Sequence, residues 1–187
     1  MRVIAGKYGG RKLHGPGALE LRPTSDQLRE TLFNILGPAL EGSYFIDVFA
    51  GTGAIGIEAV SRGARKVFFL EKHPRTISLI ERNLEQLGIR AGIEVLAGDA
   101  ERSLEKLAAR HLLADFVYLD PPYDTPGEHQ RILEFLGSSH LIAPQGVVIV
   151  EHFKKMVLDE RFDRLELTRV KEQGDAALSF YRLALAA

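Results

Sequence analysis

Hydrophobic and polar positions follow two rhythms along this chain. Short apolar runs at Tyr44-Phe45-Ile46, Lys66-Val-Phe-Phe-Leu-Glu71, Ile93-Glu-Val-Leu-Ala97, Asp115-Phe-Val-Tyr-Leu-Asp120 and Val147-Val-Ile-Val150 have the length and composition of buried strands. Between them the apolar positions take a helical spacing: Leu28, Leu32, Ile35 and Leu36, then 55–60, 74–87, 101–110 and 127–137. Gly37-Pro38 and Gly88 stop two of these helices and Pro74 opens one. Thr24, three residues ahead of Gln27, has capping-box form for the first. Leu141-Ile-Ala-Pro-Gln-Gly146 reads as a turn before the fifth strand, and 163–170 and 177–185 alternate around Gln173-Gly-Asp175 as a closing hairpin. At the start, Arg2-Val-Ile-Ala5 and Arg11-Lys-Leu13 flank Gly6-Lys-Tyr-Gly-Gly10, which predicts a small hairpin. Strands alternating with helices predict an α/β fold.

Composition narrows the class. A chain of 187 residues, 45% hydrophobic and 26% charged, fits one globular domain with a short appendage. No long uncharged apolar run predicts a membrane span, and the N-terminus lacks the continuous apolar segment of a signal peptide, so a cytoplasmic protein is expected. Cysteine is absent, which excludes disulfides, thiolate metal sites and a cysteine nucleophile. Net charge is −1, yet Arg2, Lys7, Arg11, Lys12, Arg22 and Arg29 face only Glu20 and Asp26 within the first 29 residues. Such a basic arm can be a phosphate-binding footprint or a solvated terminal segment, and charge alone weighs the two equally. Arg22, Thr24 and Arg29 lie where the first helix starts and could meet an anion.

The chemistry gathers after the strands. Asp47-Val-Phe-Ala-Gly-Thr-Gly53 joins the first strand to a helix through a glycine turn, where backbone can approach a ligand and a helix N-terminus offers N–H donors. Gly51-Thr-Gly-Ala-Ile-Gly56 also fits a dinucleotide fingerprint, so a nicotinamide-dependent dehydrogenase is an alternative. Glu71 stands 20 residues beyond Gly51, the register of a carboxylate that accepts ribose hydroxyls. Asp99 follows the third strand into the crevice where open α/β sheets bind ligands. Asp120-Pro121-Pro122-Tyr123 follows the fourth: two prolines without N–H leave a stiff loop of acceptors for an amino group, and Tyr123 offers a ring for a flipped-out base. A donated amine held by Asp120 and the Pro121 carbonyl would turn its lone pair toward an electrophile. His152, at the end of the fifth strand beside Glu151, is more simply read as structural.

Taken together, Asp47 through Gly53, Glu71, Asp99 and Asp120 through Tyr123 resemble the successive motifs of a class I S-adenosylmethionine-dependent amino-methyltransferase. Arg2-Val-Ile-Ala-Gly-Lys7, Arg11-Lys-Leu13 and Arg22-Pro-Thr24 through Arg29-Glu-Thr-Leu-Phe-Asn-Ile-Leu36 are similar to the RsmD family, so the resemblance covers essentially the whole chain. It implies a Rossmann-like, mostly parallel seven-stranded sheet with an antiparallel C-terminal hairpin strand, an N-terminal basic hairpin arm over 1–22 and a methyltransferase domain over 23–187. It implies methylation of the 2-amino group of guanine 966 in 16S ribosomal RNA, without a metal; a small enzyme with a modest basic arm is expected to act on an assembled or assembling small subunit, and a monomer is expected. In that frame Asp47, Phe49, Ala50, Gly51, Thr52 and Gly53 hold the methionine part of S-adenosylmethionine. Glu71 takes the ribose, Lys72 flanks the adenine, and Asp99 and Ala100 bind its edge. Asp120, Pro121, Pro122 and Tyr123 hold the target base, while Arg2, Lys7, Arg11, Lys12, Arg22, Thr24 and Arg29 contact RNA. The tetrapeptide is shared with adenine amino-methyltransferases acting on DNA or RNA, which keeps adenine as an alternative base. A non-catalytic RNA-binding module is a further alternative that no residue favours.

Overall fold

The structure, a computed structural model, describes residues 1–15, 17, 24–122 and 127–184; Arg22 and Tyr123 lie outside the described residues. After helix α1 (Asp26–Leu36) the chain alternates strand and helix: β1 (Tyr44–Val48), α2 (Ala54–Ser61), β2 (Lys66–Glu71), α3 (Pro74–Leu87), β3 (Ile93–Ala97), α4 (Ala100–Ala109), β4 (Ala114–Leu119), α5 (Glu128–Ser138) and β5 (Ile142–Phe153). Three more strands follow, β6 (Arg161–Phe162), β7 (Leu165–Gln173) and β8 (Ala176–Leu183). The sheet order is β3-β2-β1-β4-β5-β8-β7-β6. Neighbours from β3 to β5 are parallel, while β8 is antiparallel to both β5 and β7.

Alternation along the parallel strands fills both faces, as a doubly covered sheet requires. Phe45, Phe69, Phe116, Tyr118 and Ile149 pack on one side with Leu32, Phe33, Ile57 and Ile80 of α1, α2 and α3. Ile46, Val117, Leu119 and Val150 pack on the other with Leu104, Leu107, Ile132 and Leu136 of α4 and α5.

Three expectations change. The described sheet has eight strands rather than seven, because β6 is a two-residue pairing with β7, too short to leave a period in the sequence. Residues 142–146 are not a turn but the first part of β5; the ladder with β4 slips between Ala114 and Phe116, so Pro144, which cannot donate, sits in the irregularity. The cap of α1 is Ser25, whose Oγ accepts the Leu28 N–H at 3.1 Å, and not Thr24.

The N-terminal segment does close on itself, through an antiparallel Arg2↔Lys12 bridge around a 3-10 turn at Gly6–Tyr8. It is also fastened to the domain. Val3 and Leu13 are buried in the α1–α3 core. The fully buried Glu58 carboxylate on α2 accepts the Ile4 and Ala5 N–H groups at 2.7 and 3.0 Å. The buried Asn83 on α3 bonds both backbone groups of His14 and the carbonyl of Thr52, tying the arm to the glycine turn.

Candidate active site

Strand register lines up the candidate residues. Val48 pairs with Leu70 on one side and Leu119 on the other, and Leu119 pairs with Val150. The residues one step further therefore form a row across the carboxyl edge of β2, β1, β4 and β5: Glu71, Phe49, Asp120 and Glu151. Three acids and the entry to the glycine turn thus share one edge of the sheet, although they are spread from residue 49 to residue 151 of the sequence.

The glycine turn is built tightly. Phe49 takes a left-handed backbone at φ +63°, a conformation costly for a bulky residue and found mainly where surrounding structure enforces it. Gly53 begins α2 at φ +76° with no side-chain cap, leaving the helix's opening N–H groups to other acceptors. Gly56 must lack a side chain, because a Cβ there would fall 2.3 Å from the Phe69 ring on which α2 rests. Asp47, almost wholly buried, accepts the Gly56 N–H at 2.8 Å and so straps α2 to β1. Burial pushes the Asp47 carboxyl well up, the Gly56 bond opposes that, and nearby Glu71 adds to the rise.

Glu71 bridges the turn to the end of β2. One carboxylate oxygen accepts the Gly51 N–H at 3.1 Å, and the other accepts the Lys72 and His73 N–H groups at 2.8 and 2.9 Å. A carboxylate offers about four acceptor sites, so the three bonds orient it without exhausting it. Lys72 is exposed next to it, Ala50 N–H bonds the Leu70 carbonyl at 3.0 Å, and Thr52 is buried with its hydroxyl against the Met1 sulfur. Asp99 caps α4 by accepting the Arg102 N–H and faces Arg131 at 3.6 Å; its side chain stays 43% exposed, and Ala100 behind it is buried.

On the β4 side, Asp120 is half-buried, Pro121 buried and Pro122 exposed. Beneath them lies a cluster that sequence reasoning missed. The buried Glu151 carboxylate receives the Tyr118 hydroxyl in a short bond and the Thr24 hydroxyl at 3.0 Å. Burial, followed by the charges of Glu151 and Asp120, drives the Tyr118 phenol well above its ordinary range, so it stays protonated and donates. This knot joins the ends of β4 and β5 to the start of α1. Position at a strand end was the only sequence signal for Glu151; nothing local pointed from it to Tyr118 or Thr24. On the opposite face His152 sits between the Phe153 carbonyl and the Ser179 hydroxyl, each 2.8 Å away.

The basic residues divide. Thr24, half-buried, donates its hydroxyl to Glu151. Arg29 is buried, not a surface phosphate contact: its Nη2 holds Asp26 and the Arg2 carbonyl, each at 2.7 Å, because its helix position faces the core. Arg11 caps the C-terminus of α3 through the Gln86 and Leu87 carbonyls, and Arg2 lies 3.5 Å from Asp26. Lys7, over the Tyr8 ring, and Lys12 are exposed. Among the described residues no group of histidines and acids is arranged to hold a metal, and no helix is long and apolar enough to cross a membrane.

Known proteins share this fold. A solved Escherichia coli structure superposes on 100% of this chain and 99% of its own with a TM-score of 0.86 and 28% identity. A hypothetical protein from Thermus covers 98% and 99% with 0.83 and 27%. The fold is that of class I methyltransferases. Ribosomal RNA small subunit methyltransferase D of Haemophilus influenzae is 35% identical over 98% of this chain and 92% of its own length; that of Escherichia coli K12 is 32% identical over 97% and 89%. The family model described as conserved hypothetical protein 95 matches residues 1–182, and on these matches the chain belongs to the RsmD family.

Proposed function

We propose that this protein transfers a methyl group from S-adenosylmethionine to the exocyclic 2-amino group of guanine 966 in the 16S ribosomal RNA of the small subunit. The observation that carries the reading is the row Glu71, Phe49, Asp120 across adjacent strand ends, which sets a ribose-type acceptor and an amine acceptor on either side of one glycine turn. The RNA substrate comes from relatives named as small-subunit ribosomal RNA methyltransferases. When bound, S-adenosylmethionine supplies a methyl group on a cationic sulfur.

The residues fit that cofactor. Glu71 is pre-oriented by three backbone donors and keeps acceptor capacity for two ribose hydroxyls. The uncapped start of α2 offers N–H groups to the amino-acid carboxylate. Lys72, exposed, and Asp99, half-buried, stand at the next strand ends and border the adenine, with Ala100 behind Asp99. Asp120 and the Pro121 carbonyl accept the two amino hydrogens of the guanine, and Tyr123 stacks on the ring. The nitrogen lone pair forms the new N–C bond while the methyl–sulfur bond breaks toward sulfur. The nitrogen then gives up one proton, through Asp120 to water. Positive charge passes from sulfur to nitrogen in the transfer and leaves with that proton, so holding the partners in line supplies most of the catalysis. The arm, through Lys7 and Lys12, orients the RNA.

The test is transfer of labelled methyl from S-adenosylmethionine to small subunits from a strain lacking this gene, to free 16S RNA and to duplex DNA, followed by nucleoside analysis. Label in 2-methylguanosine from subunits is expected. Label in methyladenine would overturn the base, and no label with cofactor bound would overturn the activity.

A further inference from the structure

The N-terminal arm and the glycine turn meet at one buried amide. Asn83, wholly buried on α3, accepts the His14 N–H on Oδ1 at 2.7 Å. Its Nδ2 donates to the His14 carbonyl at 3.2 Å and to the Thr52 carbonyl at 3.0 Å. Both amide hydrogens are used, and the group can face only one way, since turning it over would set N–H against N–H. One helical turn earlier, Ile80 packs on the next residue of the same turn: a Cβ on Gly53 would fall 3.3 Å from its Cγ2. The Thr52 carbonyl and the Gly53 N–H belong to one planar peptide unit, so holding the oxygen fixes the direction of both. That N–H bonds the Ala50 carbonyl at 2.7 Å and closes the turn just ahead of α2. The arm touches Thr52 directly as well, through the Met1 sulfur 3.7 Å from its hydroxyl.

We propose that Asn83 is a positioning residue for the cofactor and that the docked arm, acting through it, is part of the cofactor site. By holding the Thr52 carbonyl, Asn83 keeps the glycine turn in the shape that presents the opening N–H groups of α2 to the amino-acid carboxylate. The inference rests on reading this turn as the S-adenosylmethionine site and gives the arm a role there besides orienting RNA. Two observations carry it. The turn is bracketed by positive-φ backbone at Phe49 and Gly53, and such backbone persists only where its surroundings over-determine it. Among the described residues two side chains bond the backbone of 49–53, Glu71 at Gly51 from the ligand's side and Asn83 at Thr52 from behind. The arm, moreover, is already fastened by Val3 and Leu13 in the core and by the Glu58 carboxylate. The bond from Asn83 to Thr52 adds nothing to that fastening; what it constrains is the turn.

The experiment uses the whole protein as wild type, Asn83→Asp, Leu13→Ala and the double variant. Asn83→Asp keeps the size and the acceptor for His14 N–H but loses both donors. Leu13→Ala removes the buried anchor beside His14 and leaves Asn83 and Thr52 in place. Calorimetry reads S-adenosylmethionine affinity well below each Tm, and turnover on unmethylated small subunits separates the cofactor KM from kcat. Affinity is expected to fall about tenfold in Asn83→Asp and about threefold in Leu13→Ala, the scale of one hydrogen bond lost or loosened. The double variant should bind no more weakly than Asn83→Asp, because both changes act through the same bond. The cofactor KM rises with these losses while kcat at saturating cofactor stays near the wild-type value. Wild-type affinity in a folded Asn83→Asp, with only Tm lowered, overturns the proposal. So does a double variant whose loss is the product of the two single losses, which would make arm and turn independent. If Asn83→Asp does not fold, Leu13→Ala decides: weaker cofactor binding upholds the proposal and wild-type binding overturns it. The expected losses together with a wild-type protein that methylates no RNA overturn the methylation reading and leave this one standing. A wild-type protein that binds no cofactor overturns both.

Discussion

The two halves of the crevice hold their acids in different ways. On the β1–β2 side, Asp47 and Glu71 are held by backbone N–H groups of Gly56, Gly51, Lys72 and His73, the furthest of them 20 residues away in sequence. On the β4–β5 side, Glu151 is held by hydroxyls of Tyr118 and Thr24, the latter 127 residues distant. Backbone donors belong to the turn itself and come with it. Side-chain donors from remote elements arrive only when α1, β4 and β5 have all packed. The first half is thus a preformed cradle, and the second is an assembly whose geometry depends on the rest of the molecule.

Mutations on the two sides should separate binding from turnover. Asp120→Ala is expected to lower turnover by roughly a thousandfold, the loss of a positioned amine acceptor, while calorimetric affinity for the cofactor stays within about threefold of wild type. Near-normal turnover would sink the amine-holding mechanism. Glu71→Ala should act the other way: it removes a charged acceptor, weakening cofactor binding by about ten- to a hundredfold, with turnover at saturating cofactor much less affected. It also leaves three backbone N–H groups without their acceptor, so a fall in Tm accompanies it.

Tyr118→Phe sharpens the contrast with a single oxygen. It removes the Tyr118 hydroxyl from Glu151 and should lower kcat roughly tenfold by loosening the Asp120 row, with cofactor affinity unchanged. A variant that lost only thermal stability would make the knot structural and not part of the site's geometry.

The smallest effect is one of pH, read by calorimetric Tm. Burial holds His129 and His152 below the ordinary histidine value of about 6.5, so the unfolded chain binds protons there before the native one does. Their contribution to stability is complete above that value and is lost as pH falls through the window beneath it. Tm should drop by a few degrees on acidification from neutrality, and His152→Gln should flatten part of that slope. An unchanged slope in His152→Gln would shift the acid sensitivity to other groups.

Much of this protein was legible residue by residue. The five parallel strands, the glycine turn, Glu71 and the Asp120 loop each announce themselves within a short window, because a buried strand needs an apolar run and a strand-to-helix turn needs glycine at positive φ. Gly56 shows the same economy, its missing side chain being the space that Phe69 fills. What the sequence could not decide were partners chosen by packing. Charge at positions 2, 11 and 29 suggested an RNA arm, yet burial and helix-end carbonyls claimed Arg29 and Arg11, and only the folded structure shows Glu58 and Asn83 sewing that arm to α2 and α3. Thr24 looked like a helix cap and became a ligand of Glu151. Local chemistry fixes which turns and strands form, since its energies act between neighbours. Which charged or hydroxyl group meets which is settled by long-range packing, where desolvation leaves each buried polar group the partner that the fold happens to bring.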